Sequence, residues 1–304
     1  GHTRLNTALL AIISCLLWST AFAGVKIGLE YATPLQFAGT RFFIAGVLVF
    51  PIAYRFNPRF FSIVRSNLRL ILLFAFLQTF LQYTMFYTGI NMIPAAVAAI
   101  VIGSQPLFIA LVANFIMPGD RMTLSKTLAI LLGIAGVILV SFEKDPQSAT
   151  GHIAVAGVLL MLGINLLSGF SNVLVAREKA MIPPLVISSS SMMLGGASLF
   201  LFSIPFEGLH FDSKPPIYFG SLVWLSLLSA IAISIWIILL KRPDTKVSDL
   251  NLWKFLIPMF GALFSWILLP EEQPQLVTTA GMLLITSALI ISGLLKRKNI
   301  PLIQ

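Results

Sequence analysis

The chain has 304 residues, of which 58% are hydrophobic and only 10% charged, with a mean hydropathy of +0.95. A soluble domain carries roughly 25% charged residues, so a soluble globular fold is excluded and a bilayer is the solvent that this apolar surface requires. The net charge of +9 does not make nucleic acid an expected partner, because in a membrane protein excess Lys and Arg hold loops on one side of the bilayer.

A spanning helix needs about 20 mostly apolar residues. Ten such segments are predicted: helix 1 over 5–28, helix 2 over 33–54, helix 3 over 67–90, helix 4 over 94–117 and helix 5 over 124–141. Helices 6 to 10 follow over 153–176, 184–205, 217–240, 250–269 and 276–295. Turn chemistry separates them, as at Ala32-Thr33-Pro34, Asn57-Pro58, Asp145-Pro146, Pro183-Pro184 and Pro270-Glu271-Glu272. The links leave no room for a soluble domain. Gly1-His2, with no Met, reads as a tag remnant, and no cleavable leader pattern is expected. Cys15, the single cysteine, lies inside helix 1 and is read as packing.

Charge predicts the orientation. With the N-terminus inside, the inner side collects fifteen basic residues. They are Arg4, Arg55, Arg59, Arg65, Arg69, Arg121, Lys126, Arg177, Lys179, Lys241, Arg242, Lys246, Lys296, Arg297 and Lys298. The outer loops hold two, Lys144 and Lys214, and are otherwise acidic. Both termini are therefore expected in the cytoplasm, in the cell (inner) membrane.

The two halves repeat. At an offset of 150, Leu16-Leu17 falls on Leu166-Leu167, Pro34-Leu35 on Pro184-Leu185 and Gly46 on Gly196. At an offset of 152, Pro106 falls on Pro258, Ala110-Leu111 on Ala262-Leu263 and Pro118 on Pro270. Five spans per repeat is an odd number, so the second copy inserts upside down. The expected fold class is an all-α integral membrane protein of ten transmembrane helices in two inverted five-helix repeats, 3–146 and 151–298. Inverted repeats are a signature of secondary transporters, with the site where the repeats meet.

Charge at bilayer depth is costly and usually functional. Lys26 lies in the outer part of helix 1, where snorkelling to the headgroups is the alternative role. Arg41 lies about 12 Å below the outer end of helix 2 at 1.5 Å per residue. Their counterparts at the 150 offset are Ala176 and Ser191, so the site is expected to be polarised. Helix 3 carries Gln78, Gln82 and Phe86 on one stripe, with Tyr83 beside them. Helix 4 offers Ser104 and Gln105 just before Pro106, which frees a carbonyl. Helix 6 offers Asn165, Ser168 and Asn172 on one face; Trp18 pairs by repeat with Ser168, and Phe22 with Asn172. Helix 8 adds Trp236. These fourteen residues are the candidate substrate-binding set, with helix–helix hydrogen bonding as the plainer role for the amides and serines. Lys254, near the inner end of helix 9, is read as an interfacial anchor. Gly133, Gly163, Gly195 and Gly196 are read as close-packing contacts, and Ser188 to Ser191 as cavity-lining or bonded to i−4 carbonyls.

Leu17-Trp18-Ser19-Thr20-Ala21-Phe22 followed by Lys26, and Thr40-Arg41-Phe42, resemble signatures of the EamA-like branch of the drug/metabolite transporter superfamily. So does the helix 4 block from Pro94-Ala95-Ala96 through Ser104-Gln105-Pro106-Leu107-Phe108 to Pro118-Gly119-Asp120-Arg121, where Asp120 replaces the family's usual Glu. Pro258, Ala262, Pro270-Glu271-Glu272 and Gly281 continue the match, without the usual Gly before the Glu and with Gln273 after it. The resemblance implies ten helices, inverted repeats, and export or exchange of small metabolites. The small multidrug relatives of this superfamily carry a membrane-embedded Glu; helix 1 here has Trp18 and Ser19 instead.

No carboxylate or imidazole is predicted at the membrane midplane. Basic groups, aromatics and amides without a buried acid favour anionic or zwitterionic solutes. The expectation is a monomeric secondary transporter of amino-acid-like or similar solutes, working by alternating access. Multidrug efflux of apolar or cationic compounds is the alternative within transport, and a non-transporting scaffold or lipid-handling protein is the alternative outside it. No catalytic constellation, metal site or cofactor motif is present in the sequence, so no enzyme is expected.

Overall fold

The computed structural model describes residues 2–117, 119, 122–178 and 181–298. Pro118, Asp120, Arg121 and Lys179 from the motif and the inner basic set therefore lie outside the described residues, as do the side chains of His2, Lys296, Arg297 and Lys298. Among the described residues, nine helices are long and apolar enough to cross a bilayer. They are helix 1 Arg4–Leu29, helix 2 Pro34–Phe56, helix 3 Leu68–Gly89, helix 4 Ala95–Ile116, helix 6 Val155–Arg177, helix 7 Pro184–Glu207, helix 8 Pro216–Leu240, helix 9 Val247–Leu268 and helix 10 Leu276–Leu294. The remaining predicted segment, helix 5, is an apolar helix of 17 residues, Leu124–Val140. Leu, Ile and Phe side chains stand exposed along the outer faces, as at Phe115, Leu131, Ile138, Leu201 and Ile267. Such faces are stable in hydrocarbon and not in water.

Proline starts several helices. Pro34, Pro184 and Pro216 each occupy the first helical position, where the missing N–H costs nothing. The segment between helices 2 and 3, expected as a plain link, forms a further short helix, Phe60–Ser66. Its Phe60 ring packs edge-on against Phe50 at 5.0 Å, and Phe61 meets Phe50 and Tyr54 in tilted contacts at 5.7 and 6.3 Å. These aromatic contacts hold the short helix against the end of helix 2.

The packing pairs like with like. Helix 2 packs on helix 7, helix 5 on helix 10 and helix 4 on helix 9, each against its sequence counterpart. Helix 1 packs on helices 8 and 9, while helix 6 packs on helices 3 and 4. Close approach requires glycine at the first of these crossings. A Cβ on Gly196 would fall 2.3 Å from the backbone N of Phe43, and one on Gly39 would fall 2.5 Å from that of Phe200. Gly133, Gly163 and Gly195 also face neighbours closely, but those neighbours are side chains: Leu107, Met85 and Thr79.

Two carboxylates tie helix starts to helix ends across the halves. Glu207, at the end of helix 7, accepts from the N–H groups of Leu35 and Gln36 at 2.9–3.1 Å. Glu272, just past helix 9, accepts from those of Ala95 at 2.8 Å and Ala96 at 3.0 Å. An anion at a helix N-terminus meets unsatisfied donors and the positive end of the helix dipole. Burial pushes the Glu272 carboxyl above the usual carboxylate range, against the pull of those two N–H groups. At the opposite ends, Glu178 pairs with Lys241 and accepts from the N–H of Ile182.

Candidate functional site

Helix 3 is not regular. A π-helical stretch, Ala75–Leu81, interrupts it and passes into an α-turn at Gln82. Such bulges recur at functional sites. Helix 4 is broken: its first half ends at Gly103, Ser104 turns out of the ladder, and a new helix starts with Gln105-Pro106. Pro106 cannot donate, so the chain must restart there. The Val101 carbonyl at this break accepts from the Ser104 hydroxyl and from Asn165 Nδ2 at 3.0 Å. Helix 9 is irregular at the matching place, with a 3-10 stretch at Leu252–Phe255 ahead of Pro258. Helices 4 and 9 cross there; a Cβ on Gly103 would lie 2.5 Å from the Pro258 ring.

A cavity of about 100 Å³ opens beside these breaks. By the same measure a water needs about 10–15 Å³, so there is room for several waters or a small solute. Eleven of the fourteen residues singled out from the sequence line it: Trp18, Phe22, Arg41, Gln78, Gln82, Tyr83, Phe86, Gln105, Ser168, Asn172 and Trp236. Ser104 and Asn165 stand one layer behind. Asn165, wholly buried, donates to Ser104 Oγ at 3.1 Å and accepts from Gln105 Nε2 at 3.4 Å. Lys26 does not line the cavity. It is half-buried two turns above Trp18, near Glu272, Asp145 and Glu271. Ser188 to Ser191 do not line it either. Ser188 shares a hydrogen bond with Ser234 at 2.7 Å, Ser189 donates to the Gly46 carbonyl at 2.9 Å, and Ser190 and Ser191 bond to carbonyls of their own helix.

Five aromatic and four amide side chains make up half of the walls. Trp18 and Trp236 meet edge to face at 5.1 Å, and Phe22 and Phe86 at 5.8 Å. A polar belt crosses the cavity from helix 9 to helix 3. Asn251 Nδ2 and Trp236 Nε1 donate to Asn172 Oδ1 at 3.1 and 3.0 Å, Asn172 donates to the Ser168 carbonyl, and the Ser168 hydroxyl donates to Gln82 Oε1 at 3.2 Å. Gln78 Oε1 and Ser171 Oγ are buried without a partner.

Arg41, 2% exposed, is gripped by its neighbours. Its Nε donates to Ser229 Oγ at 2.9 Å and to the Leu225 carbonyl at 3.3 Å, and its Nη1 donates to the Tyr87 hydroxyl at 3.1 Å. The guanidinium lies 4.6 Å from the Phe42 ring centre. Lys254 is a second buried cation, and here the sequence expectation fails: it is 5% exposed and lines the cavity, so it is no interfacial anchor. The physical reason is the entry of helix 9, where Ser248 and Asn251 are already buried, so the chain is well inside the fold when it reaches Lys254. Its ammonium donates to Gln105 Oε1 and faces the rings of Trp236 at 4.8 Å and Trp18 at 5.5 Å. A signal existed: at the 152 offset Lys254 is the counterpart of Ile102, one turn before Gln105, and Ile102 also lines the cavity. No Asp or Glu does.

Comparison with known proteins fits this architecture. A family model described as the EamA-like transporter family matches twice, at residues 5–142 and 155–294. The "Uncharacterized transporter YvbV" of Bacillus subtilis (strain 168) is 26% identical over 94% of this chain and 91% of its own length. The "Probable amino-acid metabolite efflux pump" of Salmonella typhimurium is 28% identical over 94% of this chain and 92% of its own, and that of Escherichia coli (strain K12) 26% over 96% of each. A solved crystal structure shares the fold at a TM-score of 0.71 and 20% identity, over 96% of this chain and 98% of its own. With both halves matched by the family model and the breaks of helices 4 and 9 meeting at one cavity, the chain belongs to the EamA-like transporter family, multi-pass membrane transporters of small molecules.

Proposed function

We propose that the protein exports or exchanges small zwitterionic or anionic metabolites of amino-acid type by alternating access. The observation that carries this is the charge of the cavity: two buried cations, Arg41 and Lys254, and no carboxylate among the described residues. A buried charge is costly unless compensated, and a carboxylate solute compensates it. Indole and phenyl walls suit an apolar side chain, and amide oxygens suit an ammonium group. The efflux pumps of Salmonella typhimurium and Escherichia coli are named for amino-acid metabolites, which agrees with this solute class. The two repeats, 3–146 and 151–298, rock about a pseudo-two-fold axis around the broken helices. A monomer suffices, with both termini in the cytoplasm and the chain in the cell (inner) membrane. Transport of this kind needs no catalytic residue.

The test is counterflow in proteoliposomes loaded with unlabelled L-leucine, L-phenylalanine or L-threonine, following entry of the labelled amino acid. Uptake above protein-free vesicles is expected for at least one. The aromatic lining also favours a second solute class, apolar cations. Counterflow of a labelled lipophilic cation, with no amino acid carried, replaces the first proposal with drug efflux.

A further inference from the structure

Two buried cations line the cavity, and their surroundings give them different work. Arg41 is anchored to two other helices: its Nε donates to Ser229 and Leu225 of helix 8, and its Nη1 to Tyr87 of helix 3. Its guanidinium therefore holds helices 2, 3 and 8 together. Lys254 is different. An ammonium has three donors, and here one goes to the neutral Gln105 amide while two indole faces supply the rest of its surroundings. Ring faces and one amide stabilise an ammonium less than a carboxylate does. Gln105 itself stands at the restart of helix 4, the one point where that helix is already uncoupled from its own ladder.

We propose that Lys254 is the specificity-determining residue of the cavity: it receives the solute's carboxylate, which displaces Gln105 from the ammonium, while Arg41 is a structural node. The assignment rests on the amino-acid-type transport proposed above. The other end of a zwitterion has two acceptors close by, since Gln78 and Ser171 line the cavity and their Oε1 and Oγ atoms are buried without partners. Buried polar atoms are nearly always hydrogen-bonded, and an ammonium would satisfy these. The cavity thus selects a monocarboxylate with an amino group and an uncharged side chain.

Reconstituted wild type, Lys254→Met, Lys254→Arg and Arg41→Lys proteins would be compared for inhibition of labelled L-leucine counterflow by unlabelled L-leucine and by L-leucinamide. The amide keeps the ammonium and side chain but lacks the carboxylate. Wild type should prefer leucine over leucinamide by about tenfold or more, the worth of a charge-assisted hydrogen bond. Lys254→Met should lose that preference, and Lys254→Arg should keep it. Arg41→Lys should melt at a lower temperature with the preference intact. Lys254→Met should melt no lower than wild type, because it removes an undercompensated buried charge. Acid preference surviving in Lys254→Met, a fall in its melting temperature, or loss of the preference in Arg41→Lys would each overturn the assignment while leaving amino-acid transport standing. Failure of the wild type to carry any of the three amino acids overturns both proposals.

Discussion

Glu143 is an acid in an unusual place. It sits in the turn after helix 5, 3% exposed, with Oε2 buried and unpartnered. Burial pushes its carboxyl up to about 7; the neighbouring Thr278 hydroxyl opposes the rise, and the nearby charges of Glu272 and Asp145 add to it. The native state therefore binds its proton more tightly than the unfolded chain does. Stability from this group is present in acid and is lost as pH rises from the ordinary carboxylate range through about 7. Glu143→Gln, which mimics the neutral form, should raise the melting temperature at pH 8 and leave it unchanged at about pH 3.5, below the ordinary carboxylate range. The pH 8 gain is bounded at about 3 kcal/mol by 1.36 kcal/mol per pKa unit. A thermal-melt series in detergent across that range checks the sign. At this scale the sequence was legible where side chains follow helical spacing. Gln78, Gln82 and Phe86 are four residues apart and all line the cavity, even across the π-helical stretch. Lys254 was legible only through the repeat, as the counterpart of Ile102, because its depth depends on how helix 9 enters the fold and not on its distance from the end of an apolar run.

The elements carry their own information in glycines and breaks. At the crossing of helices 2 and 7, a Cβ on Gly196 would meet the backbone of Phe42 and Phe43 at 2.3–2.8 Å, and backbone cannot move aside as a side chain can. Gly196→Ala should destabilise by about 1–3 kcal/mol, the range for overpacking a fitted core. Gly220→Ala, with nothing within 4 Å of the added Cβ, should be neutral or stabilising, since alanine favours the helix by about 0.5–1 kcal/mol. Thermal melts of the two variants side by side decide this; equal melting temperatures would show that the crossing is looser than drawn. Gly195 and Gly196 were readable as packing positions from their place in an apolar span. Which of the two meets backbone was not, because that depends on the crossing of helix 7 with helices 2 and 3. The break in helix 4 was signalled by Pro106. The 3-10 stretch of helix 9 precedes its proline, and only the packing of that helix against Gly103 reveals why the two irregularities matter together.

For the whole molecule, the charge asymmetry of the loops makes a prediction of orientation. In a Cys15→Ala background, Gln147→Cys should react with a membrane-impermeant maleimide on intact cells, and Asp244→Cys only after permeabilisation. Both positions are exposed, whereas Cys15 is fully buried. Labelling in the reverse order would turn the protein over in the bilayer. The sequence by itself determined the membrane class, the segments, the repeat offset and the family, because hydropathy, turn chemistry and motif order are properties of neighbours along the chain. It also picked out most of the side chains that share the cavity, since polar groups in apolar spans are few. Only the tertiary structure decided what each of them does. Arg41 finds its partners on helix 8, more than 180 residues away, and Lys254 finds Gln105 149 residues away. A buried donor's role is set by the acceptors that packing brings within about 3 Å, and no local pattern in the chain specifies those.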